Sequence, residues 1–228
     1  MTLASDKAPE ASAAAAMDRM YRWQLAFYDL TRKPYLLGRD RLIAELVPPF
    51  GSSVLEIGCG TGRNLIAAAR RWPHVRLYGY DVSGVMVAHA GRSVQRAGLG
   101  HRIALAQGDA SYFDPRQAFD APRFERIYFS YVLSMIPPWR EALDAAAALL
   151  EPGGSLHIVD FGDQHNFGAP SRSALNRWLA LFHVEPRVDL ADELGKIAET
   201  RDLRMKIEQL YRGYAVVASL RRPAIPLF

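Results

Sequence analysis

The most informative segment of this 228-residue chain is Val54-Leu55-Glu56-Ile57-Gly58-Cys59-Gly60-Thr61-Gly62-Arg63-Asn64. Its apolar beginning, interrupted only by Glu56, predicts a buried strand over residues 53–57. Three glycines at alternate positions follow, and the Ala-rich residues after them predict a helix over about 62–72. Glycine has no Cβ and tolerates positive φ, so such a turn allows a ligand to lie against the backbone. The G-x-G-x-G spacing differs from the G-x-G-x-x-G pattern of dinucleotide-binding turns.

Strands and helices alternate after this turn. The predicted strands are 76–80, 103–107, 126–130 and 155–160, and the predicted helices are 83–98, 114–119 and 138–150. Helical segments over 170–198, interrupted at Pro186, precede a hairpin of strands 203–210 and 214–220. This alternation predicts an α/β fold with a mostly parallel sheet covered on both faces. Ligands of such sheets bind at the carboxyl ends of the strands, which here carry Gly58, Asp81, Asp109, Ser130 and Asp160.

Two acidic residues follow successive strands. Asp81 ends the second predicted strand, where a carboxylate can accept hydrogen bonds from both hydroxyls of a ribose. Asp109 follows the third, where it could bind an adenine amino group. Each could instead cap a helix, and Ser83 after Asp81 gives that alternative some weight.

Composition sets further bounds. The formal net charge of +4 is compatible with an anionic partner such as a membrane surface, and equally with an ordinary solvated surface. The single cysteine, Cys59, allows no internal disulfide, which suits a reducing cytoplasm. Cys59 is either a small residue of the turn or a catalytic thiol, and no metal site is predicted. No apolar run approaches the roughly 20 residues that span a bilayer, so we expect any membrane contact to be peripheral.

The chain divides into a leader and one domain. Residues 1–16 are rich in Ala, Ser and Pro and are predicted to be disordered. The domain comprises residues 17–228, with an N-terminal helical cap over 17–46, a cofactor-binding core over 50–160, and substrate-side helices and a terminal hairpin over 161–228.

The core resembles the class I S-adenosylmethionine-dependent methyltransferases. The resemblance covers about residues 50–160 and lies in Glu56–Gly62, Tyr80-Asp81, Gly108-Asp109-Ala110 and Leu150-Glu151-Pro152-Gly153-Gly154. It implies a Rossmann-like sheet of seven strands with an antiparallel last strand, and S-adenosyl-L-methionine as cofactor. The residues implied to bind that cofactor are Glu56, Gly58, Gly60, Gly62, Asn64, Asp81, Val82, Asp109, Ala110 and Ser130. The chain lacks an Asn-Pro-Pro-Tyr-like motif after strand four, which weakens a base-methylating function, and no nucleic-acid partner is expected.

The N-terminal region is similar to bacterial betaine-lipid N-methyltransferases. The similarity lies in residues 17–22 and 28–43 and continues through 62–64 and 129–135. Enzymes of that family methylate the amine of diacylglycerylhomoserine up to three times. The resemblance therefore implies a lipid amine at the membrane surface as substrate, and a cytoplasmic protein that is peripheral at the inner membrane face.

Aromatic and charged residues are candidates for the acceptor side. Aromatic faces suit poorly hydrated methylammonium groups, and an arginine can bind a substrate carboxylate. The predicted catalytic residues are Tyr35, Tyr131 and Asp160, and the predicted substrate-binding residues are Tyr21, Tyr28 and Arg32. Each tyrosine could instead simply pack, and Arg32 could pair with Asp29. Asp163 and His165 are further candidates for the general base, which stays open.

Other functions remain compatible with this pattern. The acceptor could be another lipid amine such as phosphatidylethanolamine, a quinone or a small metabolite. The protein could also bind the cofactor without catalysis, as a partner or sensor, and a homo-oligomer is compatible with the sequence. Because the cap interleaves arginines with aromatic residues, we predict that anionic vesicles bind the protein and that deletion of residues 17–41 abolishes binding.

Overall fold

Seven strands form a mixed sheet in the computed structural model, which describes residues 36–224. The strands are β1 (Ser53–Ile57), β2 (Arg76–Asp81), β3 (Ile103–Gln107), β4 (Phe124–Ser130), β5 (Leu150–Phe161), β6 (Arg204–Leu210) and β7 (Ala215–Arg221). Their order is β3-β2-β1-β4-β5-β7-β6. The first five are parallel, whereas β7 runs antiparallel between β5 and β6. The predicted Rossmann-like sheet with an antiparallel last strand is confirmed.

Helices cover both faces of the sheet. They are α1 (Arg39–Glu45), α2 (Arg63–Arg71), α3 (Gly84–Arg96), α4 (Pro115–Phe119), α5 (Trp139–Ala148), α6 (Ala169–Ala180) and α7 (Leu190–Arg201). Short 3-10 turns lie at Leu133–Met135 and Tyr211–Gly213. The predicted interruption at Pro186 is confirmed, because α6 ends before it and α7 begins after it.

The alternation of side chains along the strands explains the two-sided core. Val54 and Tyr128 pack in one cluster with Leu65 of α2, while their chain neighbours pack on the other face. There Leu55 and Ile127 belong to a second cluster with helices α5 and α7. A strand buried on both faces is apolar at successive positions, which is the pattern that predicted β1.

β5 is longer than the predicted strand 155–160. Pro152-Gly153-Gly154 resembles a turn, yet Leu150 pairs with Phe124 of β4 ahead of it. The register then shifts between Phe124 and Arg126, so the irregular residues are accommodated as a bulge within the strand.

The N-terminal predictions fall mostly on residues that the structure does not describe. The leader 1–16 and residues 17–35 of the predicted helical cap lie outside residues 36–224, and α1 lies in the remaining part of that cap. The division of the chain into leader, cap and core stays a prediction. No helix in the described part of the chain is long and apolar enough to cross a membrane.

Candidate active site

The glycine turn joins β1 to α2 at the carboxyl edge of the sheet. Backbone N–H groups of Gly58 and Cys59 donate to the Tyr80 carbonyl oxygen at 2.9 and 3.0 Å, which fixes the turn against β2. A Cβ on Gly58 would lie 2.5 Å from Val132 Cγ2, so packing excludes a side chain there. Gly60 has φ +52 and nothing within 4 Å of where a Cβ would lie. The turn is therefore closely packed below and open above, as a ligand-binding backbone requires.

Asp81, at the end of β2, lies next to the glycine turn and holds it by hydrogen bonds. It is 7% exposed, and its Oδ2 accepts the Gly60 N–H at 2.8 Å. Its Oδ1 accepts the Ser83 N–H at 3.0 Å. The helix cap itself is Ser83, whose Oγ accepts the Met86 N–H. Because each carboxylate oxygen has two acceptor sites, Asp81 can make these bonds and still accept ribose hydroxyls.

Asp109 follows β3 on the neighbouring strand. Its Oδ1 accepts the Ser111 N–H at 2.9 Å, and its carbonyl oxygen accepts the Phe113 N–H at 2.9 Å. These bonds hold a tight turn in which the Phe113 ring stacks on Tyr80, with ring centroids 3.8 Å apart. Val82 lies between Asp81 and Ser83, and its carbonyl oxygen accepts from Gln107 Nε2 at 3.0 Å. Asp81, Val82, Asp109 and Ala110 thus lie on two adjacent loops of one edge.

Glu56 and Asn64 form a buried polar cluster beneath the turn. Glu56 is 1% exposed and accepts from Asn64 Nδ2 at 2.9 Å and from the Tyr128 hydroxyl at 3.1 Å. Burial raises the pKa of Glu56 to about 8, although both hydrogen bonds act to lower it. The Asn64 amide that was predicted to contact the cofactor is therefore directed to Glu56.

Two arginines that were not predicted as site residues lie near this edge. Arg63 is the first residue of α2, directly after Gly62. Arg39 begins α1 and donates from Nε to the Leu36 carbonyl oxygen at 3.2 Å. Burial lowers the pKa of Arg39, and the positive charge of Arg63 is near enough to lower it further. Two cations near the glycine turn are suited to a carboxylate, such as the one at the methionine end of the cofactor.

Tyr131 follows β4 and lies in an aromatic cluster. Its hydroxyl donates to the Leu37 carbonyl oxygen at 2.6 Å, the residue is 4% exposed, and burial raises its pKa. The hydroxyl therefore anchors the backbone before α1. The ring packs edge to face on Phe161, with centroids 4.7 Å apart, and Phe161 in turn contacts Tyr214. The role predicted for the Tyr131 ring, beside a cationic methylammonium group, stays a prediction.

Asp160, at the end of β5, is a buried carboxylate. It is 1% exposed and accepts the N–H groups of Ser134 at 3.2 Å and Phe161 at 2.8 Å. Burial raises its pKa against these bonds. The contacts show that the carboxylate holds the turn after β4 against β5, and its role as general base stays a prediction.

The loop after β5 carries the other two candidates for the base. His165 Nδ1 lies 2.7 Å from Asp163 Oδ1, and its Nε2 lies 2.7 Å from Asn166 Nδ2. Both members of the pair are partly exposed, with 47% of the His165 side chain accessible. The remaining predicted site residues, Tyr21, Tyr28, Arg32 and Tyr35, lie outside the described residues and stay predictions.

The residues that the structure brings together fit an adenosyl cofactor. The space above Gly60 is open, and the acids Asp81 and Asp109 lie on adjacent loops. Ser130 at the end of β4 has a buried Oγ without a partner among the described residues. A buried hydroxyl without a partner is costly unless a ligand completes its hydrogen bonds. The donors and acceptors therefore match the hydroxyls, amines and carboxylate of S-adenosylmethionine.

Comparisons with known proteins agree with this geometry. The family model described as a methyltransferase domain matches residues 28–206, which is more than half of the chain. The chain is 35% identical over 129 residues to carboxy-S-adenosyl-L-methionine synthase of Chromohalobacter salexigens, covering 55% of this chain and 46% of that protein. It is 31% identical over 139 residues to trans-aconitate 2-methyltransferase of Streptomyces avermitilis, covering 58% and 49%. The chain thus spans about half the length of these curated relatives.

A solved structure shows the same fold at low identity. Phosphoethanolamine N-methyltransferase 2 of Haemonchus contortus, in complex with S-adenosyl-L-methionine, superposes with a TM-score of 0.66 at 15% identity. The match covers 81% of this chain and 52% of that one. With the family match, the glycine turn and the two strand-end acids together, the chain belongs to the methyltransferase domain family, with S-adenosyl-L-methionine as its cofactor.

Proposed function

We propose that this protein is an N-methyltransferase that methylates a lipid amine, with diacylglycerylhomoserine as the best candidate and up to three methyl transfers. The observation that carries the proposal is the aromatic wall of Tyr131, Phe161 and Tyr214 at the ends of β4 and β5. Aromatic faces attract methylammonium groups, which carry charge but are poorly hydrated. The similarity of residues 17–22 and 28–43 to betaine-lipid methyltransferases supports the choice of headgroup.

A small apolar cleft adjoins this wall, and the apolar part of a substrate would have to widen it to enter. It lies between α6 and the ends of β4 and β5. Its lining residues are Leu36, Tyr131, Met135, Phe161, Trp178, Leu179, Phe182 and Val184. Burying apolar substrate atoms there would stabilise binding by about 25 cal/mol per Å² of area removed from water.

The residues of the chain would mainly align the substrate amine with the methyl group of the cofactor. The bound cofactor supplies an electrophilic methyl group, and displacement at that carbon requires the nucleophile to approach in line. The glycine turn, Asp81 and Asp109 would hold the adenosyl part, while Arg39 and Arg63 would bind the methionine carboxylate. An amine must lose a proton before it attacks, and we propose the Asp163–His165 pair as the acceptor of that proton.

We propose that residues 17–228 form one domain, which acts at the inner membrane face as a peripheral protein. We propose the lipid amine at the membrane surface as its partner, with no nucleic-acid partner, and a homo-oligomer is compatible with this proposal.

A substrate panel tests the proposed function. The purified chain is supplied with methyl-labelled cofactor and, separately, with diacylglycerylhomoserine, phosphatidylethanolamine and a demethylquinone, the lipids in detergent micelles. We expect label in the homoserine lipid and mono-, di- and trimethylated products by mass spectrometry. Label in phosphatidylethanolamine alone would show that the substrate headgroup is ethanolamine and not homoserine. Label in the quinone alone would refute lipid N-methylation. No transfer to any acceptor would favour a non-catalytic binding protein.

A carboxylate O-methyltransferase is the second candidate. The similarity to trans-aconitate 2-methyltransferase favours it, since that relative is 31% identical over the matched region. The Arg39 and Arg63 pair could bind a small carboxylate substrate as well as a cofactor carboxylate. Adding trans-aconitate to the same panel separates the two, because an ester product is cleaved by mild base and an N-methyl product is not.

A further inference from the structure

The segment around α6 has an unusual charge pattern. Between Asp163 and Glu185 the sequence contains no acidic residue, but it contains Arg172, Arg177 and two histidines. Arg172 and Arg177 are exposed, and the α6 C-cap residue Leu181 is 72% exposed. The same segment therefore presents cationic and apolar side chains to solvent together.

A second loop extends this surface. Arg212 donates from Nη2 to the Asn166 carbonyl oxygen at 2.9 Å, which places the 211–213 turn beside the start of α6. The neighbouring Tyr211 is 56% exposed. We name this group the α6 surface and define it as Arg172, Arg177, Leu181, Tyr211 and Arg212.

The arginines of α6 have no acidic partner within the described residues. Partly exposed arginines such as Arg41 and Arg201 form ion pairs, with Glu208 and Asp144, whereas the exposed Arg92 and Arg96 of α3 form none within residues 36–224. Within residues 36–224 neither Arg172 nor Arg177 forms an ion pair. Of the acids that flank the segment, Glu185 forms an ion pair with Arg187, and Asp163 contacts His165 and lies beside the 211–213 turn, with its Oδ1 3.1 Å from where a Cβ of Gly213 would lie. Within residues 36–224 no ion pair therefore neutralises Arg172 or Arg177, whereas Arg212 has the Asp163 carboxylate near its turn.

The position of α6 relates this surface to the acceptor site. Its inward residues Trp178 and Leu179 line the apolar cleft beside Tyr131 and Phe161. α6 thus separates the cleft from the solvent that contacts Arg177 and Leu181. The cleft and the α6 surface therefore belong to opposite sides of one helix, so docking on that surface would bring the cleft close to a membrane.

We propose that the α6 surface docks the protein on an anionic lipid surface and so places the acceptor cleft at the membrane. Arginine side chains bind acidic headgroups, while Leu181 and Tyr211 suit the boundary between headgroups and acyl chains. This inference rests on the proposed lipid substrate, but it concerns where the protein docks and not what it methylates.

Vesicle sedimentation with the full chain tests the docking surface. The probes are phosphatidylcholine vesicles with and without 30% phosphatidylglycerol, a composition of about one anionic lipid in three, chosen to give an anionic surface. The variant is Arg172→Glu with Arg177→Glu. The matched control is Arg92→Glu with Arg96→Glu, the same charge change at two exposed positions of α3 next to the opposite edge strand β3.

We expect wild type to bind the anionic vesicles, to bind neutral ones weakly, and to be released by 0.5 M salt, because the Debye length then falls to about 4 Å. The α6 variant should lose at least about tenfold in partition coefficient, since each basic residue near an anionic surface contributes several-fold. The control should bind within about twofold of wild type. Because the N-terminal residues are present in all three proteins, their contribution cancels in the comparison.

The outcomes are decisive in both directions. Unchanged binding by the α6 variant, an equal loss in the control, or no vesicle binding by wild type would each overturn the docking surface. Circular dichroism and melting curves of both variants show whether a loss of binding reflects unfolding. An Arg172→Gln, Arg177→Gln variant should lie between wild type and the charge reversal. Methyl transfer to diacylglycerylhomoserine in detergent micelles is measured separately, so a failure of docking and a failure of the proposed function give different results.

Discussion

Asp81 shows how one side chain both builds and uses the site. Its two oxygens accept the N–H groups of Gly60 and Ser83, so the acid that is expected to bind ribose also shapes the glycine turn. A carboxylate can accept further hydrogen bonds at each oxygen, whereas an amide nitrogen cannot accept any. Replacing one carboxylate oxygen of Asp81 with an amide nitrogen should therefore disturb both the glycine turn and the binding of ribose.

Asp81→Asn should weaken cofactor binding by about 1.5–3 kcal/mol, the scale of a hydrogen bond to a charged group, or about tenfold to a hundredfold in Kd. Isothermal titration with S-adenosylmethionine measures this. The control is Asp114→Asn, which alters only the exposed cap of α4 and should bind as wild type does. Equal Kd values for Asp81→Asn and wild type would remove Asp81 from the cofactor site.

Glu56 gives a residue-scale prediction on pH. Its pKa is about 8 in the folded protein, compared with an ordinary value of 4.5, because burial disfavours the charged form. Between these values the folded state binds more protons than the unfolded state, so the free energy of unfolding falls as pH rises from about 4.5 to 8. The bound proton of Glu56 changes the free energy of unfolding by at most about 1.4 kcal/mol per pH unit. Its full stabilising effect is present only near the lower limit of this pH range.

Glu56→Gln should therefore flatten the pH dependence of stability in this range. Urea denaturation of both proteins at pH 5, 6, 7 and 8 measures the two slopes. Identical slopes in variant and wild type would show that Glu56 does not carry the shifted proton.

At the level of elements, the 3-10 turn Leu133–Met135 after β4 is held from two sides. Asp160 accepts its Ser134 N–H, and Arg187 donates to the carbonyl oxygens of Leu133 and Ile136, both at 3.0 Å. This turn follows Tyr131, which lines the apolar cleft, and Val132, which packs against Gly58. Its position thus depends on a residue in the connection between α6 and α7.

Arg187→Leu should destabilise the protein by about 1–3 kcal/mol, because two partly buried carbonyl groups lose their donor. Arg187→Lys should recover little of this, since a single ammonium does not match the fork of a guanidinium. Thermal unfolding measures both variants, with the exposed Arg116→Leu as control. A loss of stability in the control as large as that in Arg187→Leu would contradict a specific role of Arg187 in holding this turn.

Tyr131→Phe tests how the segment before α1 is attached. The variant keeps the ring but loses the hydrogen bond to the Leu37 carbonyl oxygen, so stability should fall by about 0.5–1.5 kcal/mol. The shape of the pH–rate profile of methyl transfer should stay that of wild type, because the hydroxyl does not titrate during turnover. A lost ionisation in that profile would instead show that the Tyr131 hydroxyl transfers a proton.

The sequence predicted elements better than it predicted contacts. β1 and β3 match their predicted bounds because buried strands and their glycine or acidic ends are local signals. β5 was predicted too short, since Pro152-Gly153-Gly154 is typical of a turn and only pairing with β4 shows that the strand includes it. Local pattern cannot reveal that the charge of Arg63 reaches Arg39, nor that the polar groups of Tyr131 and Asp160 form hydrogen bonds with Leu37 and Ser134, because both depend on packing between distant segments.

At the scale of the whole molecule, cofactor binding should stabilise the fold measurably. Binding to the folded state alone adds about 2.7 kcal/mol when the ligand is at 100 times its Kd. For a domain of this size that corresponds to a rise in Tm of roughly 5–10 °C. Differential scanning calorimetry of wild type with and without S-adenosylmethionine measures the shift, and Asp81→Asn at the same ligand concentration should show a smaller one. An unchanged wild-type Tm would contradict cofactor binding by the folded chain.

The order of strands has a consequence for how the protein is made. β7 follows β6 along the chain but lies between β5 and β6 in the sheet. During translation, residues 204–210 therefore leave the ribosome before the strand that they pair with exists, and the β5 edge stays unpaired at the same time. Unpaired edges are sites of misassociation between chains. The nascent protein is thus most exposed to aggregation in the interval between synthesis of β5 and synthesis of Arg221, and the sheet closes only when that residue has emerged.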